Sequence, residues 1–168
     1  MVSMTYFFKR GAIYIMALLV VAAGCHSAHK NKDARYYNVT KVVDGDTFWV
    51  DDGSEKGLKV RLIGVDAPET RRSARKDVGY YGKEAKAYLT DRILGKEVRL
   101  EYDLDRKDRY GRTLAYAYLR DGTFINAELI SEGYAMVLTI PPNVRYAEDF
   151  VRHQRQARKK KKGLWGKP

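Results

Sequence analysis

Apolar and polar residues alternate along the first half of the chain with the period of a β-strand. Residues 38–43 and 46–51 flank an Asp44-Gly45 turn, which predicts a β-hairpin. Residues 58–63 continue the alternation: the apolar positions are Leu58, Val60 and Leu62, and Lys59, Arg61 and Ile63 stand at the other positions. We therefore expect three strands, with Arg61 on the face opposite the leucines.

The second half of the chain combines helical spacing with two further strands. Five residues form the buried stripe of a helix that Gly95 ends: Tyr81, Ala85, Tyr88, Leu89 and Ile93. We predict two more helices, one over about residues 124–131 and one that starts near Val144 and runs into the basic residues 155–162. Strands are predicted around residues 98–102 and 113–119.

The order strand, strand, strand, helix, strand, strand predicts an α+β fold that is mainly β. It fits a five-stranded Greek-key barrel of the OB type, with about three helices packed on it. The chain of 168 residues has room for one such domain and for additional segments at its ends.

The N-terminus differs in kind from the rest of the chain. Lys9 and Arg10 precede an apolar run at residues 11–23, which is too short to span a bilayer comfortably but suits the apolar part of a signal peptide. We predict that residues 1–25 are a signal peptide of the lipoprotein type, because Cys25, the only cysteine, follows Ala-Ala-Gly as in a bacterial lipobox. An ordinary secretory signal and an uncleaved membrane segment are the alternatives.

Residues 26–36 are polar and aperiodic and are predicted to be a flexible tether, which leaves residues 37–168 as the folded domain. The chain carries a formal charge of +11, and removing residues 1–25 takes away two basic residues and no acidic ones, which leaves +9. A domain this basic attracts polyanions, either nucleic acid or anionic lipid headgroups. We expect an exported monomer, lipid-anchored at the cell envelope or secreted.

Carboxylates occur in two short segments that favour turns. Asp44 and Asp46 lie in Val-Asp-Gly-Asp-Thr, and Asp66 and Glu69 lie in Val-Asp-Ala-Pro-Glu-Thr. Carboxylate oxygens are the ligands of hard cations such as calcium and magnesium, and an open position on such an ion can accept a phosphate or a water. Because Asp-Gly alone is a common hairpin turn, it is the combination of segments that indicates a metal site.

Two arginines complete the candidate site. Arg61 precedes Asp66 by five residues, and Arg112 ends the segment Asp-Arg-Tyr-Gly-Arg. Guanidinium groups beside a carboxylate-bound metal would offset the charge that grows on phosphoryl oxygens during attack on a phosphodiester. A solvent-exposed strand arginine is the alternative interpretation of Arg61.

Together these motifs resemble the staphylococcal nuclease family, also called thermonucleases. The resemblance covers most of residues 37–168 and rests on Val-Asp-Gly-Asp-Thr, Arg-Leu-Ile-Gly-Val-Asp-Ala-Pro-Glu-Thr and Asp-Arg-Tyr-Gly-Arg-Thr-Leu-Ala-Tyr. It implies the same barrel fold and a calcium-dependent hydrolysis of DNA and RNA with little sequence preference. The products implied are 5′-hydroxyl and 3′-phosphate ends.

The resemblance also implies roles for the residues of the two acidic segments. The carboxylates of Asp46 and Asp66 and the backbone carbonyl of Ala67 would bind a calcium ion. Family members commonly carry threonine at the position of Ala67, and a carbonyl ligand survives that change. Glu69 would orient or deprotonate the attacking water.

The remaining implied roles concern the substrate. Arg61 and Arg112 would grip the scissile phosphate, and Arg109 and Tyr110 would bind the substrate, Tyr110 near the nucleotide's terminal phosphate. A structural aromatic at the barrel edge is the alternative for Tyr110. A further acidic cluster is interpreted as a charged loop; it consists of Asp103, Asp105 and Asp108.

One departure from the family concerns the nucleotide pocket. The best-studied members have two tyrosines there, and alignment on Pro142-Asn143 places Leu138 and Ile140 at those positions. Tyr146 is the alternative source of an aromatic ring.

Two other functions remain open at this point. The first is a non-catalytic OB-fold module that binds nucleic acid at the cell envelope, since OB barrels often bind single strands without cutting them. The second is a basic envelope protein that binds anionic lipid or polymer. Both aspartates, the glutamate and both arginines favour the nuclease.

Overall fold

The computed structural model describes residues 35–70 and 79–166. Within these ranges the chain forms strands, α-helices and a final 3-10 turn. In chain order these are β1 (Tyr36–Asp44), β2 (Thr47–Asp51), β3 (Leu58–Leu62), β4 (Gly64–Asp66), α1 (Gly82–Ile93), β5 (Glu97–Glu101), β6 (Thr113–Leu119), α2 (Ile125–Ser131), β7 (Met136–Leu138), α3 (Ala147–Lys159) and the turn Gly163–Trp165.

Five of the strands close into a barrel in the order β1-β2-β3-β6-β5, with β5 pairing back to β1. Neighbouring strands are antiparallel except β3 and β6, which run parallel. Every second side chain points inward, and Phe48, Val50 and Val60 are fully buried. The predicted fold, an OB-type barrel in a mainly β α+β domain, is confirmed.

The three predicted helices are also confirmed. Helix α1 buries Ala85, Leu89 and Ile93 against the barrel and ends before Gly95, as its stripe predicts. Helix α3 begins at Ala147 rather than near Val144.

A small second sheet pairs β4 with β7, and the hydrophobic pattern did not predict it. Each strand has only three residues, too few to show a period of two. Gly64, at φ 75°, starts β4 where β3 has ended, and a Cβ atom there would lie 2.4 Å from the ring of Phe150. The close approach of α3 therefore requires glycine at this turn, and the turn brings Asp66 to the site.

Several predictions lie outside the described residues. They concern the signal peptide at 1–25, the lipidation of Cys25 and most of the tether at 26–36. The domain boundaries stay predictions. No helix within 35–70 and 79–166 is long and apolar enough to cross a membrane.

Candidate active site

The two carboxylate segments meet at one point on the barrel. The turn between β1 and β2 packs so closely on the segment after β4 that a Cβ atom at Gly45 would lie 2.6 Å from the Cβ of Ala67. Asp46 is 6% exposed, and its Oδ2 accepts a hydrogen bond from the Ala67 amide at 2.9 Å. Thr47 donates its hydroxyl hydrogen to Oδ1 of Asp46 at 3.0 Å. Glycine at position 45 thus permits a contact that locks the two segments together.

Arg61 lies between the carboxylates. Its Nη2 is 3.0 Å from Oδ2 of Asp46 and 3.3 Å from Oδ1 of Asp66. Its Nη1 donates to the carbonyl oxygens of Val65 at 2.6 Å and Leu62 at 3.1 Å. The side chain is only 12% exposed, so the interpretation of Arg61 as a solvated strand arginine is wrong. Its guanidinium is held in one orientation at the site.

The electrostatics of Asp46 favour a cation. Burial raises the pKa of Asp46 to about 7, the neighbouring Asp44 carboxylate adds to the rise, and Arg61 opposes it. A further positive charge beside this buried carboxylate would stabilise its ionised form. A bound metal ion would provide that charge.

The residues present fit a divalent cation with oxygen ligands. Asp46 and Asp66 already face one positively charged nitrogen, and Ala67 follows Asp66 in the same turn. No group of three or more His, Cys, Asp or Glu side chains in the described ranges is arranged to hold a metal. The protein would therefore supply two carboxylates, and backbone and solvent oxygens would complete the shell. Such a set leaves room for a phosphate on the ion.

Asp108 organises the turn that presents Arg112. Its Oδ1 accepts hydrogen bonds from the amides of Tyr110 at 2.9 Å and Arg112 at 3.0 Å, and its Oδ2 accepts one from Arg112 Nε at 2.6 Å. Burial raises the pKa of Asp108, but the bonds from Arg112 and these amides outweigh it and leave the pKa below its usual value. The charged loop predicted here thus contains an orienting residue that sequence reasoning missed. The spacing Asp-x-x-Gly-Arg could have indicated that Asp108 orients Arg112 across a turn.

Tyr110 stands at the outer end of the same turn. Its ring is 62% exposed, and the guanidinium carbons of Arg109 and Arg112 lie 4.9 and 5.4 Å from its centre. An exposed ring between two cations is not a core aromatic. The guanidinium groups of Arg109 and Arg112 give this end of the turn positive charge.

Glu69 lies on the segment that leaves β4. The Gly79 amide donates to its carbonyl oxygen at 2.9 Å, and a Cβ atom at Gly82 would lie 2.4 Å from that oxygen. The start of α1 therefore packs directly on the Glu69 backbone. This contact fixes the position of the segment that carries Glu69.

One groove of about 1010 Å³ brings the predicted residues together. Its walls include all the predicted metal, catalytic and substrate residues of the folded domain: Asp46, Arg61, Asp66, Ala67, Glu69, Arg109, Tyr110 and Arg112. Asp44 and Asp105 also line the groove. Asp103 lies elsewhere, since its carboxylate accepts a hydrogen bond from the buried Tyr116 hydroxyl at 2.9 Å.

The far wall of the groove is aliphatic. Leu138 and Ile140 line it and are 39% and 61% exposed. Tyr146 instead packs edge-on against Tyr116, and its hydroxyl donates to Glu101 at 2.9 Å. Asn143 also lines the groove, where its side chain accepts a hydrogen bond from the backbone N–H of Asp105 and donates one to the backbone C=O of Asp105, each at 2.8 Å.

An OB-type barrel with acidic and arginine side chains around an open groove suits an extended phosphodiester. This arrangement places the protein in the class of hydrolases that act on nucleic acid. Residues 59–167 match the family described as staphylococcal nuclease homologue. The chain belongs to the staphylococcal nuclease family.

Curated relatives support the same assignment. The chain is 45% identical over 136 residues to a thermonuclease of Staphylococcus hyicus, covering 80% of this chain and 78% of the relative. It is 44% identical over 130 residues to a thermonuclease of Staphylococcus intermedius, covering 77% and 75%. It is 34% identical over 143 residues to endonuclease YncB of Bacillus subtilis, covering 83% and 66%. The protein is a nuclease, and its substrate is nucleic acid.

Proposed function

We propose that this nuclease is calcium-dependent and hydrolyses both DNA and RNA with little sequence preference. The observation that carries the proposal is the cluster in which Arg61 Nη2 faces the carboxylates of Asp46 and Asp66 at 3.0 and 3.3 Å. No base-reading arrangement is needed for such a site, because every phosphodiester offers the same oxygens. The non-catalytic alternative gains no support, since the relatives are named as nucleases.

The arginines act on the phosphate. Arg61 is fixed by two backbone carbonyls through Nη1, which leaves its Nη2 edge directed at the acidic cluster. Arg112 is fixed by Asp108 through Nε. Two guanidinium groups oriented before substrate arrives stabilise charge on the phosphoryl oxygens at no reorganisation cost.

Glu69 acts on the attacking water. As the water oxygen bonds to phosphorus, one water proton passes to the Glu69 carboxylate and the bond to the 5′ oxygen breaks. The leaving oxygen takes a proton from solvent, which yields a 5′-hydroxyl and a 3′-phosphate. A positioned carboxylate is a competent general base when it is ionised at the working pH.

The metal is the remaining part of the site. Enzymes of this family need a divalent metal ion, which when bound would act as a Lewis acid towards a phosphoryl oxygen. Asp46, Asp66 and the Ala67 carbonyl are the proposed ligands. Few protein ligands and an open position suit calcium, which tolerates irregular geometry better than magnesium does.

The cellular location belongs to the same proposal. Residues 1–25 have the pattern of a signal peptide and Cys25 that of a lipidation site. We infer an exported monomer, lipid-anchored through Cys25 or secreted.

One assay tests the enzyme proposal. The 26–168 fragment is incubated with plasmid DNA, single-stranded DNA and RNA in calcium, in magnesium and in chelator. We expect cleavage of all three in calcium, weak cleavage in magnesium and none in chelator. Equal or faster turnover in magnesium alone would contradict the calcium proposal, and cleavage of one polymer only would contradict the broad substrate range.

A further inference from the structure

A row of three outward side chains crosses the barrel beside the groove. Trp49 on β2 pairs directly with Lys41 on β1 and with Lys59 on β3. The flanking residues Phe48 and Val50 are fully buried, so Trp49 is on the outer face of its strand. We call these three residues, Lys41, Trp49 and Lys59, the lysine–tryptophan row.

The core does not require a tryptophan at this position. Trp49 is half-buried, and its Cε3 lies 3.8 Å from the place where a Cβ atom on Gly57 would be. The Lys59 ammonium lies 6.0 Å from the ring centre, at the outer limit of a cation–π contact. The ring is thus supported on one edge and flanked by positive charge. A partly exposed aromatic ring flanked by two lysines has the composition of a site for single-stranded nucleic acid.

The row continues from the active groove. Lys59 lines that groove, and Arg61 follows it on the same face of β3. Neighbouring strands are about 4.8 Å apart, so the row extends roughly 10 Å from Lys59 to Lys41. About three nucleotides cover that length at a stacked spacing of about 3.4 Å. The face formed by the second and third strands is also the one that OB barrels use for oligonucleotides.

We propose that the lysine–tryptophan row binds the part of a single-stranded substrate that extends beyond the active groove. Trp49 stacks on one base, and Lys41 and Lys59 pair with the phosphates on either side. Asp51, further along β2, bounds the row, and its carboxylate accepts a hydrogen bond from the Gly53 amide at 2.9 Å. The inference rests on the proposed function and adds to it a preference for longer single strands.

Tryptophan fluorescence tests the stacking. The chain has two tryptophans, Trp49 and Trp165, so Trp165→Phe leaves Trp49 as the only such reporter. In a Glu69→Gln background with calcium, the thymidine dodecamer (dT)12 should quench this protein. A thymidine dinucleotide phosphorylated at both ends should not, because it fits within the groove. The matched control carries Trp49→Phe and keeps Trp165, and its fluorescence should show no comparable quenching with either probe.

Affinity measurements test the contribution of each residue. Trp49→Leu should weaken dodecamer binding by roughly 5- to 150-fold, as expected for one lost base stack. Lys41→Gln should make the slope of log affinity against log salt shallower by about 0.7 for the dodecamer. Lys96→Gln, an exposed lysine at the turn between α1 and β5, is the control and should change neither.

The outcomes separate this inference from the proposed function. Unchanged Trp49 fluorescence with the dodecamer, or wild-type affinity in a folded Trp49→Leu variant, would overturn the row as a binding site. If Trp49→Leu does not fold, an unchanged salt slope in Lys41→Gln has the same meaning. A wild-type protein that cleaves no nucleic acid and binds neither probe would refute the proposed function itself.

Discussion

At the scale of single residues, Asp46 is the buried carboxylate of the proposed metal site. This carboxylate is buried against the Ala67 amide and Arg61, and burial raises its pKa to about 7. Its position is locked by Gly45, so a residue of the same shape should keep the local structure. Charge and shape can therefore be separated by one substitution.

Asp46→Asn should raise the calcium concentration needed for half-maximal activity by at least about tenfold, a typical loss for a disturbed metal site. The metal-free fold should be at least as stable as the wild type, because a buried charge is removed and the shape is kept. Calcium titration of activity and thermal unfolding in chelator measure the two effects. Asp91→Asn, on the exposed side of α1, is the control. An unchanged calcium requirement would remove Asp46 from the metal site.

Glu69, Arg61 and Arg112 carry the chemistry in our proposal. Glu69→Gln should lower kcat by about 10²–10⁴-fold, and Arg61→Lys and Arg112→Lys by about 10²–10³-fold each. Lysine keeps the positive charge but lacks the planar guanidinium group. Asp108 orients that group in Arg112, and backbone carbonyls of β3 and β4 orient it in Arg61.

Steady-state kinetics in saturating calcium measure these losses. Glu55→Gln and Arg152→Lys, both exposed, are the matched controls and should retain full activity. A loss smaller than about tenfold in any of the three site variants would contradict the role assigned to that residue.

At the scale of secondary-structure elements, one polar network joins the end of β5 to β6 and to the start of α3. Asp103 accepts hydrogen bonds from the Tyr116 hydroxyl at 2.9 Å and the Arg145 amide at 3.2 Å. Burial raises the pKa of Asp103, but these bonds outweigh it and leave the pKa below its usual value. The ionised carboxylate therefore holds the loop in front of α3.

This network predicts how stability depends on pH. Because the pKa of Asp103 is lower in the folded than in the unfolded state, its contribution is complete above its ordinary pKa, near 3.8, and is lost as pH falls through the lowered value. Asp103→Asn should therefore flatten the rise in unfolding free energy between about pH 2 and pH 5. Urea unfolding at several pH values measures it, with Asp91→Asn as control. Parallel pH curves for Asp103→Asn and wild type would show that the network does not hold an ionised carboxylate.

The end of β7 and the loop that follows it predict a difference in nucleotide binding. Leu138 and Ile140 give the groove wall apolar contact without a ring face or a phenol hydroxyl. Base stacking on an aromatic ring is worth about 1–3 kcal/mol, so nucleoside bisphosphates should inhibit this enzyme poorly. Leu138→Tyr with Ile140→Tyr should tighten that inhibition.

Inhibition constants of the single and double variants measure the effect. Tyr146→Phe, which keeps the ring outside the groove and removes the bond to Glu101, is the control. If the tyrosine variants bind no better while Tyr146→Ala binds worse, our alignment of this loop is wrong and Tyr146 supplies the stacking.

At the scale of the whole molecule, the proposed attachment to a membrane depends on lipidation of Cys25. If Cys25 is lipidated, Cys25→Ser should release the protein from membranes into the soluble fraction, with nuclease activity unchanged per molecule. Fractionation of cells that express each form measures this. A Cys25→Ser protein that stays with membranes would favour an uncleaved apolar segment at residues 11–23 as the anchor.

The sequence by itself determined the barrel strands, the three helices and the motifs of the site. Residues 58–62 follow the period of two of a strand, and the stripe ending at Ile93 follows the period of about 3.6 of a helix. Both periods can be read from residues that are close together in the sequence. Asp46, Asp66 and Glu69 were identified because their side-chain chemistry and short spacing already indicate a cation and a phosphate.

Only the tertiary structure decided what surrounds these residues. Four features depend on segments that meet only when the barrel closes. They are the pairing of β4 with β7, the burial of Arg61, the hydrogen bonds from Arg112 to Asp108 and the position of Trp49 beside the groove. Strands of three residues are too short to show a period of two. The sequence around a strand arginine such as Arg61 is the same whether its side chain is solvated or buried. Burial and orientation are long-range properties, because they are set by which surfaces the chain brings together rather than by the identity of a residue's neighbours.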